Sequence, residues 1–149
     1  MATFYSNLYA APADGSSGYS YKGPYGSKSG ETVSVVGTFT CPAALATNDI
    51  ANLFPIPAGA KPLRHAHFYE DFGTTCTTTV QCDSTDMKAS IALGTAVTVA
   101  NIADLTAAEC AAAHAANLTA EKNINLIFTS VSTPTAGAVY NFFAQYAMP

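Results

Sequence analysis

The chain has 149 residues and a formal net charge of −4, with 49% hydrophobic but only 11% charged residues. That length suits one domain with a real core, and the acidic balance excludes the broad basic footprint of a nucleic-acid binder. Thr, Ser, Asn and Ala stand where charge is usual, leaving faces with little ionic character, as suits surfaces covered in an assembly.

Met1–Gly15 has neither the basic segment nor the apolar core of a signal peptide. No run approaches the ~20 apolar residues that span a bilayer. The expectation is a soluble protein made in a cytoplasm, with neither membrane nor nucleic acid as partner. Residues 1–30 are rich in Gly, Ser and aromatics, with Phe4, Tyr5, Tyr9, Tyr19, Tyr21 and Tyr25. Gly and Ser keep such a segment pliable while Tyr offers large amphipathic contact area. The segment reads as an extended arm (1–30) that lies on a neighbouring subunit or an underlying shell, ahead of a β-sandwich domain (31–149). The other arrangement is a locally packed pair of short strands that completes the same sheet.

In Thr32–Cys41 small polar residues alternate with Val33, Val35 and Phe39, the period of a half-buried strand. Ala46–Asp49 is turn chemistry, because Asn and Asp side chains bond nearby backbone amides. Ile50–Ile56 is an apolar run cut by Pro55, which suits an edge strand or sheet corner. The Pro57–Pro62 corner follows, and a second long strand runs to Tyr69.

Thr74–Thr79 is β-favouring through its branched side chains, and Asp83–Asp86 is turn material. Met87–Leu93 and Ala96–Ala100 read as short strands broken at Gly94. The single helical candidate is Thr106–Asn117. Thr106 and Glu109 have capping-box spacing, an Ala-rich run follows, and Asn117 closes it. Such a helix is expected to cover a sheet opening or form a connection. Asn123–Val131 carries Ile124, Leu126 and Phe128 on one face. Val139–Ala147 is apolar on both faces, which requires two covers: Val139 and Phe143 on one side, Tyr140, Phe142 and Tyr146 on the other. Roughly eight strands with frequent turns predict an all-β protein, an antiparallel β-sandwich or jelly roll with one short helix and the N-terminal arm.

The cysteines are Cys41, Cys76, Cys82 and Cys110. Their spacing supports no zinc site, and buried reduced thiols are the expectation for a cytosolic origin. Cys76 and Cys82 bracket five residues and could close as a hairpin disulfide in an oxidising space.

A strand, the turn Leu45-Ala-Thr-Asn-Asp-Ile50, then Leu53-Phe-Pro-Ile-Pro-Ala-Gly-Ala60 leading into another strand, resembles small structural proteins of tailed phages. These are the capsid decoration (cement) proteins and their relatives among head-fibre and tail-associated proteins. The resemblance implies a virion protein on the outer capsid surface, assembled in the host cytoplasm. It would bridge major capsid proteins as a homo-oligomer, a trimer being the expected state, without cofactor or enzymatic activity. The arm tyrosines Tyr5, Tyr9, Tyr19, Tyr21 and Tyr25 are the expected intersubunit contacts, with Phe142 and Tyr146 on a covered outer face. A head-fibre or tail receptor- or glycan-binding module is the alternative.

A second alternative is a cupin-like metal-binding protein. Gly59-x5-His65-x-His67 matches the opening of a cupin metal motif, and two His at i, i+2 share a strand face. The match then departs: Glu70 comes three residues after His67, on the opposite face of a regular strand unless a bulge re-aims it, and the second motif is absent. His65, His67 and Tyr69 packed beside Leu63 is the simpler expectation. No G-x-S-x-G elbow, catalytic cysteine signature or phosphate loop occurs. Asp49, Glu70, Asp71, Asp83, Asp86 and Asp104 sit in or beside turns, where acids cap and solubilise.

Overall fold

The computed structural model describes residues 1–11, 18–94 and 105–149. Its elements are β1 (Thr3–Tyr5), β2 (Tyr9–Ala10), β3 (Ser20–Tyr21), β4 (Thr32–Thr40), β5 (Ile50–Ile56), β6 (Lys61–Tyr69), β7 (Thr77–Cys82), β8 (Thr85–Ala92), α1 (Ala107–Ala116), β9 (Lys122–Ser130) and β10 (Val139–Ala147). A five-stranded sheet runs β1-β5-β9-β7-β8 and a three-stranded sheet runs β4-β10-β6, while β2 and β3 form a small ribbon. All pairings are antiparallel except β1 with β5. The described residues thus form an all-β sandwich with one short helix.

Period-two alternation sets the inner faces. Val33, Val35 and Phe39 of β4 align with Tyr146, Ala144 and Tyr140 of β10, and the latter two with His65 and Tyr69 of β6. All of these are buried. They meet Leu53, Phe54, Val80, Ile124, Leu126 and Phe128 of the other sheet in one continuous core. Phe39 and Phe128 lie 5.9 Å apart, and Phe54 stacks on Phe142 at 5.8 Å. Aromatic pairs at such spacings stabilise beyond their buried area.

β5 is internal along Ile50–Asn52, where β1 covers it, and an edge beyond that point. Pro55, with no amide hydrogen to give, falls in the edge half. The turn before it is held by Asp49, whose buried carboxylate accepts from Ala46 N at 2.9 Å and Ala2 N at 2.5 Å.

α1 closes one side of the sandwich, packing against β6 of one sheet and β8 of the other. Its capping box is complete: Thr106 Oγ1 accepts from Glu109 N at 3.3 Å, and Glu109 Oε2 accepts from Thr106 N at 2.6 Å. Such reciprocal bonds satisfy amides that a helix start leaves open. Asn117 is the C-cap.

Two expectations are corrected. Cys76 and Cys82 do not bracket a hairpin. They stand at either end of β7, and its six residues, at about 3.3 Å each, hold them far beyond disulfide reach; all four cysteines are free and buried. The hairpin turn lies after Cys82, at Asp83, whose φ is +49°. Phe142 and Tyr146 are not on an outer face. They point into the core, each 1% exposed, and it is Phe143 that faces outward. The Ala96–Ala100 strand and Asp104 fall outside the described residues.

Candidate functional site

The outer face of the three-stranded sheet is unusually apolar for an exposed surface. Val36 of β4, Phe143 of β10 and Ala66 of β6 form one cross-strand row, with Thr38, Asn141 and Phe68 as the next. Val36 is 65% exposed and Phe68 40%. Arg64 lies over Phe143, its guanidinium carbon 5.9 Å from the ring centroid, within cation–π range. A register shift between Gln145 and Tyr146 leaves Leu63 out of the ladder and 48% exposed. That bulge explains why Leu63 does not share the face of His65, although both numbers are odd. Beside it a groove of about 620 Å³ runs between the start of β6 and α1, lined by Leu63, Ala111, His114 and Leu118.

The doublets Val35-Val36 and Phe142-Phe143 carry the sequence signal for this face. On a strand, one member of each pair must point away from the core. Which member does so depends on the partner sheet, and the sequence left that open.

The arm tyrosines gather in cis, on the chain's own body. Tyr5 stacks on Tyr19 at 4.1 Å and meets Tyr9 at 5.2 Å, and Tyr9 meets Tyr21 edge-on at 5.4 Å. The Tyr9 hydroxyl donates to Asn123 Oδ1 at 3.1 Å, and the Tyr25 hydroxyl donates to Glu121. Burial, then the Glu121 carboxylate, pushes the Tyr25 hydroxyl up to about 12. β1 joins the larger sheet, and Asn7 caps the outer edge of β4 by exchanging bonds with Thr38 N and O at 2.7 and 2.8 Å. Such a plug blunts an edge strand. Of the two arrangements for residues 1–30, the described part shows packing on the same sandwich; Tyr19 and Tyr25 stay about half exposed.

His65 and His67 both face the core, 2% and 0% exposed, with ring centroids 4.2 Å apart. His67 Nδ1 is 2.5 Å from the Tyr140 hydroxyl. Burial holds His65 at about 3 and drives His67 well below its usual range, so both are neutral. Glu70 is engaged elsewhere: its exposed carboxylate accepts from Val139 N at 2.8 Å. The His–His–Glu set of the metal-binding alternative is therefore not assembled, and among the described residues no three His, Cys, Asp or Glu cluster as a ligand set. No helix among those residues is long and apolar enough to cross a membrane.

No family model and no curated protein sequence matches the chain. Its fold is nevertheless found in two solved structures. One is a chain in the capsid of Ralstonia phage GP4, with a TM-score of 0.63 and 19% identity over 85% of this chain and 90% of that one. The other is a chain in the cyanophage Pam1 capsid asymmetric unit, with a TM-score of 0.55 and 18% identity over 93% of this chain and 100% of that one. Those shares put both neighbouring chains at about 140 residues, each matched over nine-tenths or more of its length.

Proposed function

We propose that this chain is a non-enzymatic structural component of a phage virion that decorates the capsid exterior and bridges major capsid proteins as a homo-oligomer. The observation that carries this is the size match. In both capsids the similar chain is as short as this one and is matched over nearly its whole length. The likeness is therefore to nearly the whole of a short chain in each capsid structure.

The surface supports the same reading. Val36, Phe68 and Phe143 offer a flat apolar face with one cationic stem, the composition of an interface core with Arg at its rim. Many copies of a modest contact, multiplied over a symmetric shell, stabilise the state they bind. Tyr19 and Tyr25, half exposed at the arm, extend the contact area.

A quantitative gel of purified particles tests the proposal. A copy number similar to that of the major capsid protein is the expected result. A few copies per particle would move the chain to a fibre or tail adhesin, and absence from particles would overturn the reading.

A further inference from the structure

We propose that the His65–His67 pair makes this fold acid-sensitive: taking up protons parts the two sheets at the α1 side, so that the open state gains population as pH falls below about 6.

The geometry gives an imidazolium nowhere to go. The Nε2 atoms of both histidines are buried and, among the described residues, have no hydrogen-bond partner. The His65 ring meets Phe54 of the opposite sheet edge-on at 5.7 Å, so it lies between the layers. The void beside it is about 10 Å³, lined by Phe54, Met87, Leu105, Ile124 and Ala144. That is room for about one water, too little to hydrate a cation. Among the described residues His67 bonds to Tyr140, and Tyr140 is itself fully buried and stacked on Tyr69 at 5.8 Å.

The surrounding charges oppose protonation. β8 presents Lys88, whose field disfavours a charged His67. β6 presents Arg64 at the rim of the His65 void, β10 presents the Tyr140 hydroxyl to His67, and Tyr146 of β10 lines the void while its hydroxyl accepts from Gly26 N at 3.3 Å. Glu109 of α1 is 3.9 Å from Lys88, and His114 of α1 is bonded to Ala60 O at 3.3 Å. β5 and β9 turn the apolar Phe54, Ile56 and Ile124 toward the void. Among the described residues no carboxylate lines it.

Leu105 N, which donates to His65 O at 3.1 Å, marks the seam that opens. Because the folded histidines are held below their unfolded value of about 6.5, their contribution is whole above that pH and is lost as pH falls toward the folded values. Two such sites raise the unfolding constant about 10²–10³-fold between pH 7 and pH 5.

Urea unfolding of the full chain from pH 7.5 to 5.0, with NMR of the histidine rings, tests this. The expected result is that fold-change, with His65 and His67 unprotonated while folded and with α1 amides losing protection before those of β9. His65→Phe is expected to remove about half of the slope. A change under tenfold, or protonation of both rings within the intact fold, would overturn the proposal. If His65→Phe does not fold, the wild-type slope and ring titration still decide. This inference stands apart from the capsid reading, and its failure would leave that reading untouched.

Discussion

The side-chain amide of Asn117 donates to the carbonyl oxygen of Pro57 at 2.9 Å, joining the end of α1 to a corner sixty residues earlier. The same nitrogen donates to Ala60 O at 2.9 Å, and Gly59 N donates back to Asn117 O at 2.8 Å. One fully buried residue thus pins the helix to the β5–β6 turn. Asn117→Ala removes two hydrogen bonds from buried carbonyls that keep weaker partners, Ala60 N on Pro57 O and His114 on Ala60 O, and is expected to cost about 2 kcal/mol. Urea midpoints at unchanged slope measure it.

Two glycines with positive φ separate backbone strain from collision. At Gly30, φ is +76° and a Cβ would meet nothing within 4 Å, so Gly30→Ala should cost roughly 1 kcal/mol. At Gly73, φ is +108° and a Cβ would sit 1.9 Å from Thr133 O. Gly73→Ala is expected to exceed about 4 kcal/mol and to abolish accumulation of folded chain. Parallel thermal melts read both.

Phe142 and Phe143 are neighbours in sequence with opposite duties. Phe142→Ala empties a core site stacked on Phe54 and should cost about 3–5 kcal/mol. Phe143→Ser, paired with Val36→Ser, should move stability by about 1 kcal/mol or less. On the capsid reading the double change lowers occupancy on purified particles, which densitometry shows; unchanged occupancy would exclude this face as the contact.

The thiols give a chemical test of the fold. Burial pushes Cys76 and Cys82 up to about 11, so at pH 8 only about one part in a thousand is thiolate. A maleimide should label none of the four cysteines in the native chain and all of them in urea. A Cys76–Cys82 bridge found in mature particles would contradict the length of β7.

Local signals proved legible where one element decides its own structure. Thr106 and Glu109 marked a helix start because both capping partners lie within four residues. The alternation in β4 and β9 reported half-burial for the same reason. What sequence could not carry was parity relative to a distant partner. Phe142 and Phe143 are equivalent until β5 supplies Phe54 to one of them. Leu63 and His65 share a nominal face until a register shift with β10 separates them. Cys76 and Cys82 looked close because a stretch of three threonines does not reveal where its strand turns. The buried histidines were visible as a pair, but their solitude depends on Phe54, Met87 and Leu105, which the chain brings from three other places.

The position of β10 has a consequence for timing. β4 and β6 never pair with each other; both wait for Val139–Ala147 to enter between them. As the ribosome emits the chain, β4 and β6 are exposed for the seventy or more residues that precede β10, and the smaller sheet cannot nucleate early. Completion of the sandwich therefore acts as a proofreading step. A chain cut anywhere before Val139 lacks the strand that joins β4 to β6 and is left exposed to proteases.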